Sequence, residues 1–381
     1  MKFMISSISM IRFRFALWGA IISTLLLTML SCAQLSGVPA PTEIFKVAWT
    51  KNIDPAYNSG NLPVNLSSPL IAKGLLFLGT PDKKMIAYSL DSGRVVWSKK
   101  DNGSYHAAPI LHQQALIYGT TEGRVYSRHY LTGKLNYSVD LGESIDSSGV
   151  AAGGMLLFQL RNHKLVSLDI VTGKIFWAYK RSVPFLTTLQ RVAKPLVDGN
   201  RIFVGFADGY LVAFSRMDGV VLWQSKLATG SKFIDVDATP LLVGKHLVVW
   251  LQSGGPLTMV DAATGKIFRR VEVGVTRQAI MLGDHLLMGT TAGELVKLDS
   301  NYNILARVKL DRSAISSVKK WKGGVVVGTV GGNLFYLNSS NLQVIDRRFL
   351  GHTLSAVFGD MMVSEGRLAV LSSRNRLYLF Y

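Results

Sequence analysis

One cysteine, Cys32, stands in 381 residues, so the chain has no internal disulfide and no multi-cysteine metal site. The seven histidines (His106, His112, His129, His163, His246, His285 and His352) are scattered singly. None forms a His-x-His or His-Glu-x-x-His pair, and no metal centre is expected. The chain lacks a Gly-x-Ser-x-Gly nucleophile elbow. Its glycine pairs, such as Gly331-Gly332, fall in hairpin turns where positive φ is needed, and are not phosphate-binding loops. No catalytic group and no cofactor are therefore expected. Acid is also scarce, with Asp plus Glu at 24 against Lys plus Arg at 42, a formal charge of +18. Three of those cations (Lys2, Arg12, Arg14) lie in an acid-free N-terminal segment, leaving 39 against 24 downstream. Such a surplus favours anionic partners, whether nucleic acid, acidic lipid or an acidic protein face.

What is abundant is apolar residues, 48% of the chain, enough for a large core and too many for wholesale disorder. They are organised around Gly199–Trp223, GNRIFVGFADGYLVAFSRMDGVVLW. This stretch predicts three short strands over 201–206, 210–214 and 220–223, joined by turns at Asp208-Gly209 and Met217-Asp218-Gly219. A three-stranded meander cannot bury both faces by itself. It recurs. The turn glycines Gly93, Gly133 and Gly173 are 40 residues apart, Gly173, Gly219 and Gly265 are 46 apart, and Gly289 to Gly328 is 39. Periods of this size with strand content mean a propeller or a solenoid. Each copy has a further apolar stretch upstream, as at Pro69–Ala72, Pro109–Leu111, Pro195–Val197 and Pro240–Val243, which makes four strands per unit.

Eight copies are visible, and the last, Gly366–Tyr381, stops before its outer strand. The missing strand is found near the other end, where Ile44–Thr50 matches the outer strand of the other copies through Trp49. The expectation is an all-β, eight-bladed propeller of four-stranded antiparallel blades over 44–381. The N-terminal strand closes the ring on the C-terminal blade and removes the exposed ends of an open array. The outer-strand tryptophans Trp97, Trp177 and Trp223 read as packing between blades.

Ahead of the repeats, Lys2, Arg12 and Arg14 precede the uncharged run 15–30, a secretory signal too short for a permanent span. The run ends in Met29-Leu30-Ser31-Cys32, which resembles the bacterial lipobox and places the single cysteine at the position that is lipidated. Ala33, being other than Asp, implies transfer to the outer membrane in lipoproteins of this kind. Residues 1–31 are thus expected to be a lipoprotein signal peptide, and 32–43 the lipidated Cys32 with a flexible tether.

The pattern Gly-Thr-x-x-Gly-x-Leu, then Leu-Asp-x-x-Thr-Gly-Lys-x-x-Trp, resembles the quinoprotein-type propeller repeat. An oxidoreductase binding pyrroloquinoline quinone, or a degenerate relative of one, is the alternative class. Many alcohol-oxidising members carry a vicinal disulfide that this chain cannot form. A WD40 propeller is excluded by the lack of a Trp-Asp dipeptide. An eight-bladed propeller of this repeat carrying a lipobox resembles the BamB family, lipoprotein subunits of the outer-membrane β-barrel assembly machine. The resemblance covers essentially the whole chain after Cys32.

The repeats of 46 place extra residues in the connectors 180–194 and 225–239, which flank the fourth blade and should emerge side by side. Both combine apolar residues with charge, as a protein-binding hot spot does. In the BamB family two such loops contact a POTRA domain of BamA. The family's Asp-x-Asp-x-x-Pro stands here as Asp235-Val236-Asp237-Ala238-Thr239-Pro240. In the companion loop Leu189 matches a family leucine, Thr187 and Gln190 depart from the pattern, and Arg191 is expected to take over the family arginine's role. The resemblance implies a non-enzymatic scaffold on the periplasmic face of the outer membrane, held there by a lipid anchor. It binds BamA through Leu189, Arg191, Asp235 and Asp237, works beside other Bam subunits and unfolded barrel clients, and takes no nucleic acid. Dibasic pairs at the ends of outer strands (Lys99-Lys100, Lys180-Arg181, Arg269-Arg270, Arg347-Arg348) suggest a solvated basic band.

Overall fold

A computed structural model describes residues 44–55, 67–183, 192–228, 234–251, 255–275, 279–351 and 356–381. Cys32 and the segments 1–31 and 32–43 lie outside the described residues. The unit from Ile44 to Tyr381 consists of eight four-stranded antiparallel sheets, each a meander running outward from an inner to an outer strand. In blade 4 the strands are Leu196–Asp198, Arg201–Gly205, Tyr210–Ser215 and Val221–Lys226. The expected strands stand, with the outer one reaching three residues beyond Trp223. Blade 8 takes three strands from the C-terminus (Met362–Ser364, Arg367–Leu371, Arg376–Phe380) and its outer strand from Val47–Asn52. Val47 pairs with Phe380 and Asn52 with Arg376, so the ring closes as the incomplete last repeat requires.

The second strand of each blade is buried nearly throughout, as in Leu75–Gly79 and Met155–Gln159. Its two faces pack against the two neighbouring blades, which is why the sequence shows an apolar run there and no simple alternation. Among the described residues the core accordingly divides into eight clusters, each lying between successive blades. Leu157 and Leu165 meet Ile202, Val204 and Phe214 between blades 3 and 4. Phe203, Leu211 and Ala213, one residue out of phase, meet Leu247 and Val249 of blade 5. The closing cluster joins Leu371, Leu377 and Leu379 of blade 8 to Ile71, Leu76 and Leu78 of blade 1.

The recurrent turn before the outer strand has a plain chemical basis. In blade 3 the Asp169 carboxylate accepts hydrogen bonds from the Val171 and Thr172 amides and the Thr172 hydroxyl. The Thr172 amide bond leads the causes that hold Asp169 below the usual carboxylate range. Gly173 follows at φ +74, where a side chain is strained. A Cβ there would also lie 2.6 Å from the Tyr137 ring of the preceding blade. The same glycine in blades 1, 2, 4 and 5 lies under Trp49, Trp97, Trp177 and Trp223. Each indole N–H then donates to a carbonyl of the next blade: Trp49 to Leu90 at 2.8 Å, Trp97 to Tyr130 at 2.7 Å, Trp177 to Arg216 at 3.0 Å. The outer aromatics are thus hydrogen-bonded latches between blades as well as packing.

Between blades 1 and 2 lies a buried ionic network. The Asp101 side chain is 0% exposed and that of Arg128 10%, with Arg128 Nη2 donating to Asp101 Oδ1 at 2.5 Å. The other Asp101 oxygen accepts from Tyr118 at 2.7 Å and Tyr105 at 2.9 Å. Arg128 Nε donates to the Tyr118 hydroxyl at 2.8 Å, and Nη1 to the Gly133 carbonyl at 3.1 Å. Burial, reinforced by the Asp101 charge, raises the Tyr118 phenol well above its ordinary range and keeps it a donor.

Candidate partner-docking site

Strand alternation gives the ring two rims. The turns between strands one and two and between strands three and four lie on the upper rim. The lower rim carries the turns between strands two and three and the connectors from each outer strand to the next inner strand. The connectors singled out by the 46-residue repeats therefore emerge on the lower rim. Of these, 180–183, 192–194, 225–228 and 234–239 are described, and the Lys194 amide donates to Thr239 Oγ1 at 3.1 Å, so the described parts of the two lie side by side. Leu189 and Arg191 lie outside the described residues.

The second connector is laid directly on the blade. The Val236 amide donates to the Phe206 carbonyl at 3.1 Å, and Val236 is 1% exposed. A Cβ on Gly205 would stand 2.1 Å from the Val236 carbonyl oxygen. Gly79 with Tyr105 and Gly119 with Ile145 repeat this arrangement, each glycine admitting a connector residue onto the end of strand two, and Gly289 likewise admits Ile315 at the start of the next inner strand. Gly205→Val is expected to force the connector off the blade, lowering stability by about 2–3 kcal/mol. Hydrogen exchange should rise at 234–240 before it rises elsewhere, and unchanged protection there would refute this account of Gly205.

Asp235 and Asp237 sit on either side of Val236 and are 2% and 3% exposed. The spacing that reads as a charged surface loop is therefore one whose carboxylates turn inward. Asp237 lines a central cavity of about 420 Å³ together with His106, Asp146, Lys194, Lys319 and Asp360. His106 Nδ1 lies 2.9 Å from Asp146 Oδ1, Arg161 Nε donates to Asp146 Oδ2 at 2.6 Å, and Lys319 pairs with Asp360 at 2.5 Å. Burial pushes Asp146 upward, but bonds from His106, Ser144 and Arg161 outweigh it and hold the carboxyl below its ordinary value. Walling by protein, with Lys319 nearby, lowers the Lys194 ammonium against the opposing pull of Asp360. None of these cavity residues except Asp237 stands out in the sequence. The available signal was that His106 and Asp146 occupy one repeat position, 40 residues apart.

The basic pairs divide by strand alternation. Arg181 bonds Asp208 at 2.6 Å, and Arg269 bonds the Asn301 carbonyl at 2.7 Å and Asn303 Oδ1 at 2.8 Å in the next blade. Arg347 bonds Asn333 Oδ1 at 3.0 Å. One member of Lys180-Arg181 and of Arg347-Arg348 is structural, while in the third pair Arg270 Nη2 also donates, to the Leu227 carbonyl at 3.1 Å. Lys99, Lys100 and Lys180 remain exposed.

A family model described as "Outer membrane protein assembly factor BamB" matches residues 46–144 and 137–279. The chain is 21% identical over 353 residues to the protein of that name from Bordetella pertussis, covering 87% of this chain and 89% of the relative. Its counterpart in Escherichia coli K12 is 24% identical over 352 residues, covering 87% of each. The crystal structure of BamB from Moraxella catarrhalis is similar with a TM-score of 0.73 at 21% identity, spanning 88% of this chain and 99% of that one. A europium-containing methanol dehydrogenase superposes with a TM-score of 0.66 at 12% identity over 86% of this chain and 84% of its own, a likeness of fold alone.

Proposed function

The chain belongs to the family of the outer-membrane protein assembly factor BamB, and from that premise we propose a lipid-anchored, non-enzymatic scaffold for the insertion of β-barrel proteins. It is an outer-membrane protein assembly factor. Residues 1–31 are removed, Cys32 is acylated, 32–43 form the tether, and the propeller hangs on the periplasmic side of the outer membrane. The lower-rim connectors of blade 4 hold a POTRA domain of BamA, with other Bam subunits alongside. Leu189 supplies the apolar anchor and Arg191 a charge partner. Asp235 and Asp237, being buried, serve chiefly to fix the shape of the 234–240 connector that the partner meets.

The observation that carries this reading is the clasp between the two connectors through Lys194 and Thr239, with Val236 seated on Gly205. A surface held in one conformation binds without an ordering cost. Co-purification from detergent-solubilised membranes tests it. Leu189→Glu should cut BamA capture roughly tenfold or more while leaving thermal unfolding unchanged. Asp237→Asn, which keeps the shape and removes the charge, should weaken capture less. Undiminished BamA capture by Leu189→Glu and by an Asp235→Ala/Asp237→Ala double variant would overturn the site.

A further inference from the structure

The upper rim carries an apolar ridge that the docking function leaves unused. In blades 2, 3 and 4 the turns before the outer strand expose Leu131 (50%), Val171 (74%) and Met217 (60%). The outer strands then start on the same rim with Leu135 (45%), Phe176 (49%) and Leu222 (51%) exposed. Neighbouring turns are tied together, since the Tyr137 ring of blade 2 lies against Gly173 of blade 3 and the Trp177 ring of blade 3 against Gly219 of blade 4. Exposed apolar side chains aligned on one rim mark a contact.

Three observations choose the occupant. The turns have no open backbone to offer an added strand, because the amides of Gly133, Gly173 and Gly219 already donate to His129, Asp169 and Ser215. The turn tips thus offer side chains alone, which suits acyl chains, while the outer strands below them keep open sheet edges. Lys134 and Lys174 are exposed immediately beyond these turns, and the nearby Asp169 and Asp218 carboxylates, which stay anionic, are drawn in to their own turn amides. Apolar tips with lysines beside them suit a phospholipid interface. Finally, the described chain starts on this rim. The Ile44 and Phe45 amides donate to Asp346, Lys322 donates to the Ile44 carbonyl, and Phe45 packs on Trp321 beside the upper turn of blade 7. The eleven residues between Cys32 and Ile44 can reach at most roughly 40 Å.

We propose that the upper rim of blades 2–4 is a membrane-contact surface, with Leu131, Val171 and Met217 entering the headgroup boundary of the leaflet that holds the anchor. This rests on the reading of Cys32 as lipidated, and the experiment separates the two. The acylated chain carrying Val171→Cys, labelled with a small environment-sensitive fluorophore, is reconstituted with vesicles of phosphatidylethanolamine and phosphatidylglycerol. Flotation reports the anchor, and quenching by aqueous iodide reports the rim. Iodide quenching should fall at least about threefold on vesicles relative to the chain in detergent-free buffer. Adding Leu131→Asp and Met217→Asp should restore quenching without loss of flotation. A chain that floats with position 171 still open to iodide overturns the rim proposal and leaves the anchor standing. A chain that does not float overturns both. Shielding that needs an unfolded β-barrel protein and no vesicles overturns it in favour of a client surface.

Discussion

Arg128→Ala is expected to destabilise the propeller by about 3–5 kcal/mol, a large part of the 5–15 kcal/mol that holds an ordinary domain folded. The substitution leaves the Asp101 carboxylate, whose side chain is wholly buried, with two phenol donors and no counter-charge. It also leaves the Gly133 carbonyl without its guanidinium donor at the turn that Trp97 covers. Asp101→Ala should cost a similar amount by stranding the guanidinium instead. The discriminating variant is the double change Asp101→Leu/Arg128→Met, which replaces an ion pair with apolar volume and should recover most of the loss. Urea unfolding followed by circular dichroism measures all three. A loss below about 1 kcal/mol for Arg128→Ala would mean that water reaches the network and that the pair is no stronger than a surface bridge.

Removing residues 1–52 and expressing the remainder should abolish cooperative folding of the ring. Val47–Asn52 is the outer strand of blade 8, and without it the edge at Arg376–Phe380 is left unpaired over its whole length. Phe45, 1% exposed between Trp321 and Phe380, goes with it, as does the Trp49 latch to Leu90. Each large aromatic taken from a packed site costs about 3–5 kcal/mol, and an open edge recruits other chains. The expected result is a broad, low-temperature transition with aggregates in gel filtration. Trp49→Ala alone should retain the ring with a lower midpoint. A truncated chain that stays monomeric with the parent's midpoint would show that closure contributes nothing.

The ring was legible in the sequence because two features repeat for chemical reasons. The glycine before each outer strand needs positive φ and lies beneath a neighbour's aromatic ring, so Gly93, Gly133, Gly173, Gly219 and Gly265 recur where any side chain would collide. Trp49, isolated far from the other copies, supplied the strand that the last copy lacks. The count falters only where the chemistry changes. In blades 6 and 7 a residue with a side chain takes the glycine's place, Tyr302 at φ 65 and Leu342 at φ 58, and the latch from blade 5 is Arg269 instead of tryptophan.

The candidate site was less legible. Asp235-Val236-Asp237 reads as exposed charge, because nothing local in the sequence says that the connector folds down onto strand two. That depends on the close approach of Val236 to Gly205, a contact between residues about thirty positions apart in sequence. The Asp101–Arg128 network was invisible for a related reason. Arg128 stands where the other copies have uncharged residues, and the position of Asp101 is charged again only at Arg181, with the opposite sign, so periodicity carries no trace of the pair.

The pairing of Val47–Asn52 with Arg376–Phe380 also sets a timetable. The first strand of the ring to be made must wait for the last, so during synthesis it stands without its mate until Arg376–Phe380 arrive. Joining such distant segments carries the loop-closure cost of nearly the whole chain, and the earlier blades can assemble before it is met. Completion of the disc is thus a late event, and the segment through which tension from an anchor would arrive is clamped only at that moment.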